Sequence, residues 1–439
     1  MSDLFALFKD RLKGKAVPAF IRGSGNRQEI LSAANVYTMA LDKAKKLRSM
    51  GFTQGDTLLE VPEDLTVLAH FLACLKLGIS YCPVNESVFN QIKDNQIDGL
   101  QFNEGKLIRD LDYLPGTESY AILLFTSGTT RQKLVGVKES HILFQLESHR
   151  EALADLKAES RLSVLPKFHC FGMILDLFLG VLQSNYIYFL GSGEFRKARL
   201  EQLLTTESIN LICGVPKHLD LLIQYSERSS LIFEKMKEMS FFVGGAALRE
   251  EQRLSAQSRF QRLIIGYGLT EAGPGVLIDG KPIPGVSVEI RQNKLLVTSP
   301  SICDFEGKND DEVLVVEDIG VKKKGLVKIF GRSDRFLKDS KGVMLHYSEV
   351  QKDIFLKYGA IVNFEKIDQK VAMVEIIGSE PVLTESNRRE ILNLFPSICG
   401  IKNIEKEKIL DILEKTRVKS SDDIFRENNR EILEERRNG

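Results

Sequence analysis

The apolar positions change period several times along the chain, and each change marks an element. Between residues 29 and 50, Ile30, Leu31, Ala34, Tyr37, Met39, Leu41, Ala44 and Leu47 recur at helical spacing, and Gly51 supplies a stop. Residues 57–61 read as a buried strand, 67–77 as a helix closed by Gly78, and 79–84 as the next strand. A strand, a helix and a strand in succession require a crossover and predict a parallel sheet. Short strands are expected again at 121–125, 162–165, 186–190, 211–213, 241–243 and 263–265, with helical stretches between most of them. From about residue 283 the pattern becomes short alternating strands without long helices, at 286–290, 294–298, 313–316 and 326–330. That change predicts an antiparallel sheet or small barrel appended to the α/β body.

Beyond it, 362–367 and 371–377 read as paired strands across Asp368 and Gln369, and Thr384 as the cap of a helix running to about Phe395. The tail from Ser420 is charged and reads as helical. The expected fold class is therefore a large N-terminal α/β domain with an appended β region, residues 1–333, followed by a small α+β C-terminal domain, residues 334–439. The boundary is placed near Asp334.

Composition narrows the function classes. Lys plus Arg equals Asp plus Glu, at 60 each, so net charge gives no case for nucleic acid as a partner. The six cysteines are scattered, with no C-x-x-C pair and no histidine at zinc spacing. Most sit in apolar runs and read as reduced core residues of a reducing, cytoplasmic compartment. The start of the chain is too short and interrupted in its apolar run for a signal peptide. Asp176 interrupts the richest apolar stretch, 168–182, so no transmembrane segment is expected. A peripheral membrane contact through the first turns stays open.

Candidate chemistry lies in three loops. Residues 124–130 read Leu-Phe-Thr-Ser-Gly-Thr-Thr, a strand running into small hydroxyl residues around a glycine. Backbone N–H groups and hydroxyls in such a loop can surround phosphate oxygens, although a plain polar turn has the same composition. It is not a Walker loop, because G-x-x-x-x-G-K-[ST] is missing. Residues 266–271, Gly-Tyr-Gly-Leu-Thr-Glu, bring an aromatic, a hydroxyl and a carboxylate to one strand end. An aromatic face stacks on a purine, and a carboxylate suits Mg²⁺, which takes one or two carboxylates plus substrate phosphates. Residues 331–338 carry Arg332, whose guanidinium can fork onto ribose hydroxyls or phosphate, beside what is equally a solvated linker.

Taken in order, these loops resemble the adenylate-forming superfamily of acyl-CoA synthetases, peptide-synthetase adenylation domains and luciferases. Residues 72–85 resemble that family's A-C-L-K-x-G-x-x-Y-x-P-L/V-N segment, and 126–130 its T-S-G-T-T loop. Residues 166–172 are similar to P-L-F-H-x-x-G, 244–248 to G-G-A-P-L, 266–271 to G-Y-G-L-T-E, 284–285 to P-G and 331–334 to G-R-x-D.

The resemblance implies an enzyme that makes an acyl-adenylate from a carboxylic acid and ATP, then passes the acyl group to a thiol. Coenzyme A is the first choice of thiol, and the phosphopantetheine of an acyl carrier protein the alternative. It implies that Thr126, Ser127, Gly128, Thr129 and Thr130 bind the β- and γ-phosphates, and that Gly244, Gly245 and Ala246 line the adenine and acyl pocket. Tyr267 would stack on adenine with Gly268 in the same nucleotide loop. Thr270 would contact the α-phosphate and Glu271 hold Mg²⁺. Asp318 with Arg332 would take the ribose hydroxyls, His169 would sit at the acyl pocket, and the C-terminal domain would swing about Asp334.

Three departures from the family pattern stand out. After Thr130 the family continues G-x-P-K-G, whereas here the chain reads Arg131-Gln132-Lys133-Leu134-Val135-Gly136. Residues 338–349 lack the usual glycine-plus-proline pattern. The P-x-T-x-x-G-K signature survives only as Glu414-Lys415-Thr416-Arg417-Val418-Lys419, which makes Lys419 the candidate catalytic lysine. Peptide-synthetase domains keep an aspartate just after the position of His169 to hold an α-amino group. No carboxylate occurs here before Asp176, so an aliphatic or aromatic acid without an α-amine is expected. The altered loop and lysine segment motivate a second class, a non-catalytic nucleotide- or acyl-binding descendant.

Overall fold

The helix expected from residue 29 starts later. Glu29–Ser32 is a strand, pairing antiparallel with Ala19–Arg22, and the helix is Ala33–Ser49. Ser32 divides the two, because its side chain accepts a hydrogen bond from the amide of Asn35 at 3.1 Å and so caps the helix. Ile30 and Leu31 match helical spacing, yet pairing with Ile21 and Phe20 claims them for the sheet. The computed structural model describes residues 3–14, 18–23, 28–94, 96–97, 100–109, 120–126, 133–190, 195–291, 294–305, 308, 313–332, 336–338, 340, 344–367, 370–377, 382–396 and 398–405.

The chain divides into two compact units. The first holds residues 1–291, 296–316 and 321–328, and the second 292–295, 317–320 and 329–439. The boundary expected at Asp334 falls outside the described residues.

Two sheets build the first unit. A nine-stranded sheet runs in the order Lys281–Pro282, Leu277–Ile278, Arg262–Tyr267, Ser240–Val243, Leu211–Gly214, Ser160–Ser163, Tyr186–Phe189, Ala19–Arg22, Glu29–Ser32. All neighbours from Arg262–Tyr267 to Ala19–Arg22 are parallel, as the strand–helix alternation predicts. A seven-stranded sheet runs Asp304–Phe305, Leu134–Val137, Ile122–Phe125, Ser80–Pro83, Thr57–Glu60, Lys106–Arg109, Leu100–Asn103. Thr57–Glu60 and Ser80–Pro83 are parallel, joined by helix Val67–Leu77, which ends at Gly78 in the left-handed conformation.

The largest core packs residues of both sheets, such as Leu58, Tyr81, Leu124, Phe189 and Ile264, around the helices. Phe178 lies 4.5 Å from the Phe71 ring and 5.2 Å from that of Phe8. Phe8 belongs to helix Asp3–Lys13, whose Leu4, Phe5, Phe8 and Leu12 are all buried. The apolar face of those first turns is therefore spent on the core. Among the described residues no helix is long and apolar enough to cross a membrane.

Strands Ser287–Arg291, Lys294–Thr298, Val313–Lys323 and Leu326–Arg332 form a four-stranded sheet in that order, where the change of period predicts one. In the second unit, Ile361–Ile367 pairs antiparallel with Lys370–Ile377, and Ile398–Glu405 adds in parallel. Helices Tyr347–Tyr358 and Glu385–Leu394 complete this small α+β unit, and Thr384 caps the second through the amide of Asn387 at 3.2 Å.

Candidate active site

In a parallel sheet the carboxyl ends of the strands share one edge, and loops leaving that edge can meet over one patch. The registers Cys213↔Ser163, Gly214↔Val243 and Val243↔Ile265 put four such ends side by side. From them leave the segment through His169, the turn at Val215, Gly244 to Ala246, and Tyr267 to Glu271.

Glycine is needed where these loops touch. A Cβ on Gly244 would lie 3.1 Å from the Phe171 ring and 3.5 Å from the carbonyl oxygen of Gly266. Gly245 has φ +78°, a conformation that side chains other than glycine strain to adopt. A Cβ on Gly268 would stand 2.1 Å from the Pro274 oxygen, so the loop doubles back on itself in contact. The strand runs through Tyr267, two residues beyond its expected end, because Gly266 and Tyr267 pair antiparallel with Ile278 and Leu277. Tyr267 is thereby held rigidly, half-buried, at the sheet edge.

Thr270 and Glu271 occupy a single turn of 3₁₀ helix, both half-buried. The amide of Cys303 donates to the Glu271 carbonyl at 2.8 Å. Cys170 Sγ lies 3.4 Å from Thr270 Oγ1, which joins this turn to the segment carrying His169. Burial pushes the Cys170 thiol up; the hydrogen bond from Thr270 opposes that rise, and the charge on Glu271 adds to it. Cys170 is thus a neutral thiol beside an acidic group.

His169 is half-buried, its ring 4.6 Å from that of Phe168. Its carbonyl accepts from the amide of Met173 at 2.8 Å, which leads into a π-helical turn, Phe171–Phe178. Sequence periodicity did not reveal this turn. Two features hold it. Gly172 packs so closely that a Cβ there would be 2.1 Å from the Pro166 oxygen. Arg161 Nη1 donates to the carbonyls of Leu175 and Asp176 at 3.0 and 2.7 Å.

The Asp176 carboxylate is fully buried. It accepts from Lys167 Nζ at 3.2 Å and from Ser163 Oγ, and Arg161 Nη1 stands 3.9 Å from its other oxygen. Lys167 also donates to Ser163 Oγ at 2.7 Å and to the Leu165 carbonyl. This buried ionic cluster beneath the His169 segment was invisible in the motif, where Asp176 read only as an interruption of an apolar run.

The phosphate-loop candidate lies on the other sheet. Ile122–Phe125 and Leu134–Val137 form an antiparallel hairpin, the second strand of which the sequence pattern missed. Thr126 and Lys133, next to the paired Phe125 and Leu134, face each other at its connected end through two backbone-anchored hydrogen bonds. Ser127, Gly128, Thr129 and Thr130 lie outside the described residues. Lys133 extends its ammonium 5.9 Å from the Phe305 ring.

The remaining candidates belong to the second unit. Asp318 is half-buried in strand Val313–Lys323, and Arg332 is exposed at the end of strand Leu326–Arg332. Lys419 lies outside the described residues. The first unit therefore brings together Gly244, Gly245, Tyr267, Gly268, Thr270, Glu271 and the His169–Cys170 segment. Ala246 is exposed in the same loop.

A match by family profile accords with this arrangement: residues 95–306 match the family described as AMP-binding enzyme. That span runs from before the hairpin to past Cys303 and includes every first-unit residue just named. Over that span, just under half of its length, the chain is similar to AMP-binding enzymes. Its curated relatives include a probable 4-coumarate–CoA ligase 3 of Dictyostelium discoideum, 29% identical over 264 residues, covering 56% of this chain and 43% of the relative. Another is the uncharacterized acyl–CoA ligase YtcI of Bacillus subtilis, 27% identical over 305 residues, covering 56% of each. The chain spans about half the length of the curated relatives it matches.

Solved structures extend the likeness of fold across both units. ATP-bound MatB from Rhodopseudomonas palustris matches with a TM-score of 0.69 at 17% identity, covering 95% of this chain and 99% of that one. O-succinylbenzoate coenzyme A synthetase (MenE) from Bacillus subtilis, in complex with ATP and magnesium ion, matches with a TM-score of 0.67 at 15% identity, over 91% and 95%. At such identities the likeness is one of fold.

The donor set of the first-unit site suits Mg²⁺ with a nucleotide. Glu271 would offer a hard carboxylate oxygen, and among the described residues no group of three His, Cys, Asp or Glu could hold a metal by itself. Mg²⁺ characteristically binds through one or two carboxylates, completing its shell with phosphate oxygens and water.

Proposed function

We propose that this protein activates a carboxylic acid with ATP, forming an acyl-adenylate and pyrophosphate, and then transfers the acyl group to a thiol, coenzyme A in the first instance. The observation that carries the reading is the meeting of Tyr267, Thr270 and Glu271 with Gly244, Gly245 and Cys170 at adjoining parallel strand ends. An aromatic face, a glycine floor, a hydroxyl and a carboxylate on one patch are what a purine, a close-lying backbone, an α-phosphate and a phosphate-bound cation require.

In this reading the substrate carboxylate attacks the α-phosphorus and pyrophosphate leaves in line. Thr270 binds the α-phosphate, Glu271 holds Mg²⁺, and the loop opened by Thr126 takes the β- and γ-phosphates. Bound there, Mg²⁺ would offset phosphate charge. Asp318 and Arg332 take the ribose, and Lys419 steadies the charge developing at phosphorus. A thiol then attacks the adenylate carbonyl and AMP departs. The ATP and magnesium named with MatB and MenE, and the coenzyme A ligases among the relatives, support both halves.

The acid is one without an α-amine. Asp176, the first carboxylate after His169, is sealed in the core against Lys167 and Arg161, so that segment offers no carboxylate to an ammonium. Pyrophosphate release with a panel of aliphatic, aromatic and amino acids, with coenzyme A and with an acyl carrier protein as acceptors, tests the whole reading. Release with amino acids alone would overturn the choice of acid. The replacement of the loop glycine by Arg131 favours a second reading, a non-catalytic nucleotide-binding descendant. ATP binding without release for any acid would select it.

A further inference from the structure

Behind the loop that carries Thr270 and Glu271 lies helix Glu139–Ala152, and its Gln145 is 1% exposed. A carboxamide buried this deeply is costly unless all its polar atoms are bonded. Here they are. Nε2 donates to the Gly275 carbonyl at 3.0 Å and to Ser301 Oγ at 2.8 Å, with the Ala272 carbonyl at 3.4 Å. Oε1 accepts from the Gly275 amide at 3.2 Å. Gln145 thus pairs with both the N–H and the C=O of Gly275, as a neighbouring strand would. Ser301, itself bonded by Gln145, passes its hydroxyl proton toward the Ala272 carbonyl at 2.8 Å. The adjacent Glu271 carbonyl is taken by the Cys303 amide at 2.8 Å.

The loop is pressed against this helix. A Cβ on Gly273 would lie 2.7 Å from Gln145 Nε2, and one on Gly275 would lie 2.2 Å from the His149 ring. His149 Nδ1 is 2.8 Å from the Gln145 carbonyl, which makes it the protonated nitrogen and fixes the ring as a flat spacer. A leucine or methionine would fill the volume at 145 equally well. Only a carboxamide sets the register of residues 272–275, and with it the direction in which the turn at Thr270 and Glu271 presents its side chains.

We propose that Gln145, acting with Ser301, is a positioning residue that holds the Thr270–Glu271 turn in the geometry needed for phosphate-bound Mg²⁺. The proposal rests on the adenylation reading and deepens it. Neither residue touches nucleotide; both act through the backbone of the loop. Loosening that backbone misplaces the Glu271 carboxylate, and misplacement by about 1 Å can cost on the order of a hundredfold in rate.

The test compares full-length Gln145→Met, Ser301→Ala and Leu146→Ala with the wild-type chain. Leu146, also 1% exposed, is the next residue on the same helix and packs in the main core, so it controls for lost stability. Pyrophosphate release is followed against Mg²⁺ and ATP concentration, and amide exchange by mass spectrometry. For Gln145→Met we expect kcat to fall about tenfold or more, the Mg²⁺ requirement to rise, and faster exchange confined to residues 267–276 and 301–303. Ser301→Ala, which removes one hydroxyl, should shift the Mg²⁺ requirement the same way by less. Leu146→Ala should lose stability with kcat and Mg²⁺ requirement unchanged. If Gln145→Met and Leu146→Ala share one kinetic pattern, or Ser301→Ala leaves the Mg²⁺ requirement unmoved, the positioning role is overturned. If exchange loosens selectively but the wild-type chain releases no pyrophosphate with any acid, the adenylation reading fails and the role in it falls too.

Discussion

Thr126 and Lys133 exchange two hydrogen bonds: the Thr126 amide donates to the Lys133 carbonyl at 2.8 Å, and the Lys133 amide donates back to Thr126 Oγ1 at 3.1 Å. They therefore pin both ends of the intervening phosphate-loop candidate on a rigid hairpin. Thr126→Val removes the Oγ1 acceptor while keeping shape and β-branching. A bond of this kind is worth about 1 kcal/mol. The expected result is a KM for ATP raised roughly fivefold, with Thr126→Ser near wild type. Initial rates of pyrophosphate release across ATP concentrations check it, and an unchanged KM would separate this loop from the phosphates.

Glu271→Gln should nearly abolish adenylation while leaving the fold intact. The carboxylate is half-buried beside Cys170, and glutamine keeps its shape while losing the charge a hard cation needs. Pyrophosphate release at saturating Mg²⁺, with circular dichroism as the folding control, decides it. Turnover close to wild type would remove Glu271 from the metal site.

Asp176 and Lys167 should not be equivalent in stability. Asp176→Leu leaves two buried cations, Lys167 and Arg161, without a counter-charge, and should cost about 3–5 kcal/mol. Lys167→Met leaves Arg161 and Asp176 balanced, so it should cost less, about 1–2 kcal/mol. Urea unfolding measures both, and equal losses would show that the carboxylate is not the hub of the cluster.

His149 should make the fold acid-sensitive. Burial lowers its pKa from 6.5 to about 4. Below 6.5 the unfolded chain takes up a proton that the folded chain refuses until about pH 4, so stability falls as pH drops through that window. The single-site contribution is at most on the order of 3 kcal/mol. His149→Gln should flatten the dependence of urea midpoint on pH between 6.5 and 4. An undiminished slope in that variant would assign the sensitivity elsewhere.

What was legible in the sequence was local. Gly78 ends its helix and Thr384 caps another because a stop or a cap needs only the backbone a few residues away. The loop glycines at 244, 245 and 268 were legible through the resemblance of their segments to the adenylate-forming family, and the structure gives close backbone approach as the reason glycine stands there. Each parallel strand near the site was foreseen within a few residues, since a buried strand must be apolar whatever its neighbour. The tertiary structure decided what depends on a distant partner. Leu134–Val137 became a strand by pairing with Ile122–Phe125. Ile30 and Leu31 left a helical pattern for a sheet edge. Asp176 looked like a break in an apolar run until Lys167 and Arg161 met it in the core. Nothing in the sequence pattern singled out Gln145, yet its carboxamide bonds Ser301, 156 residues away. Hydrophobic period reports that a position is covered; only the fold supplies the polar group that makes covering a charge or an amide tolerable.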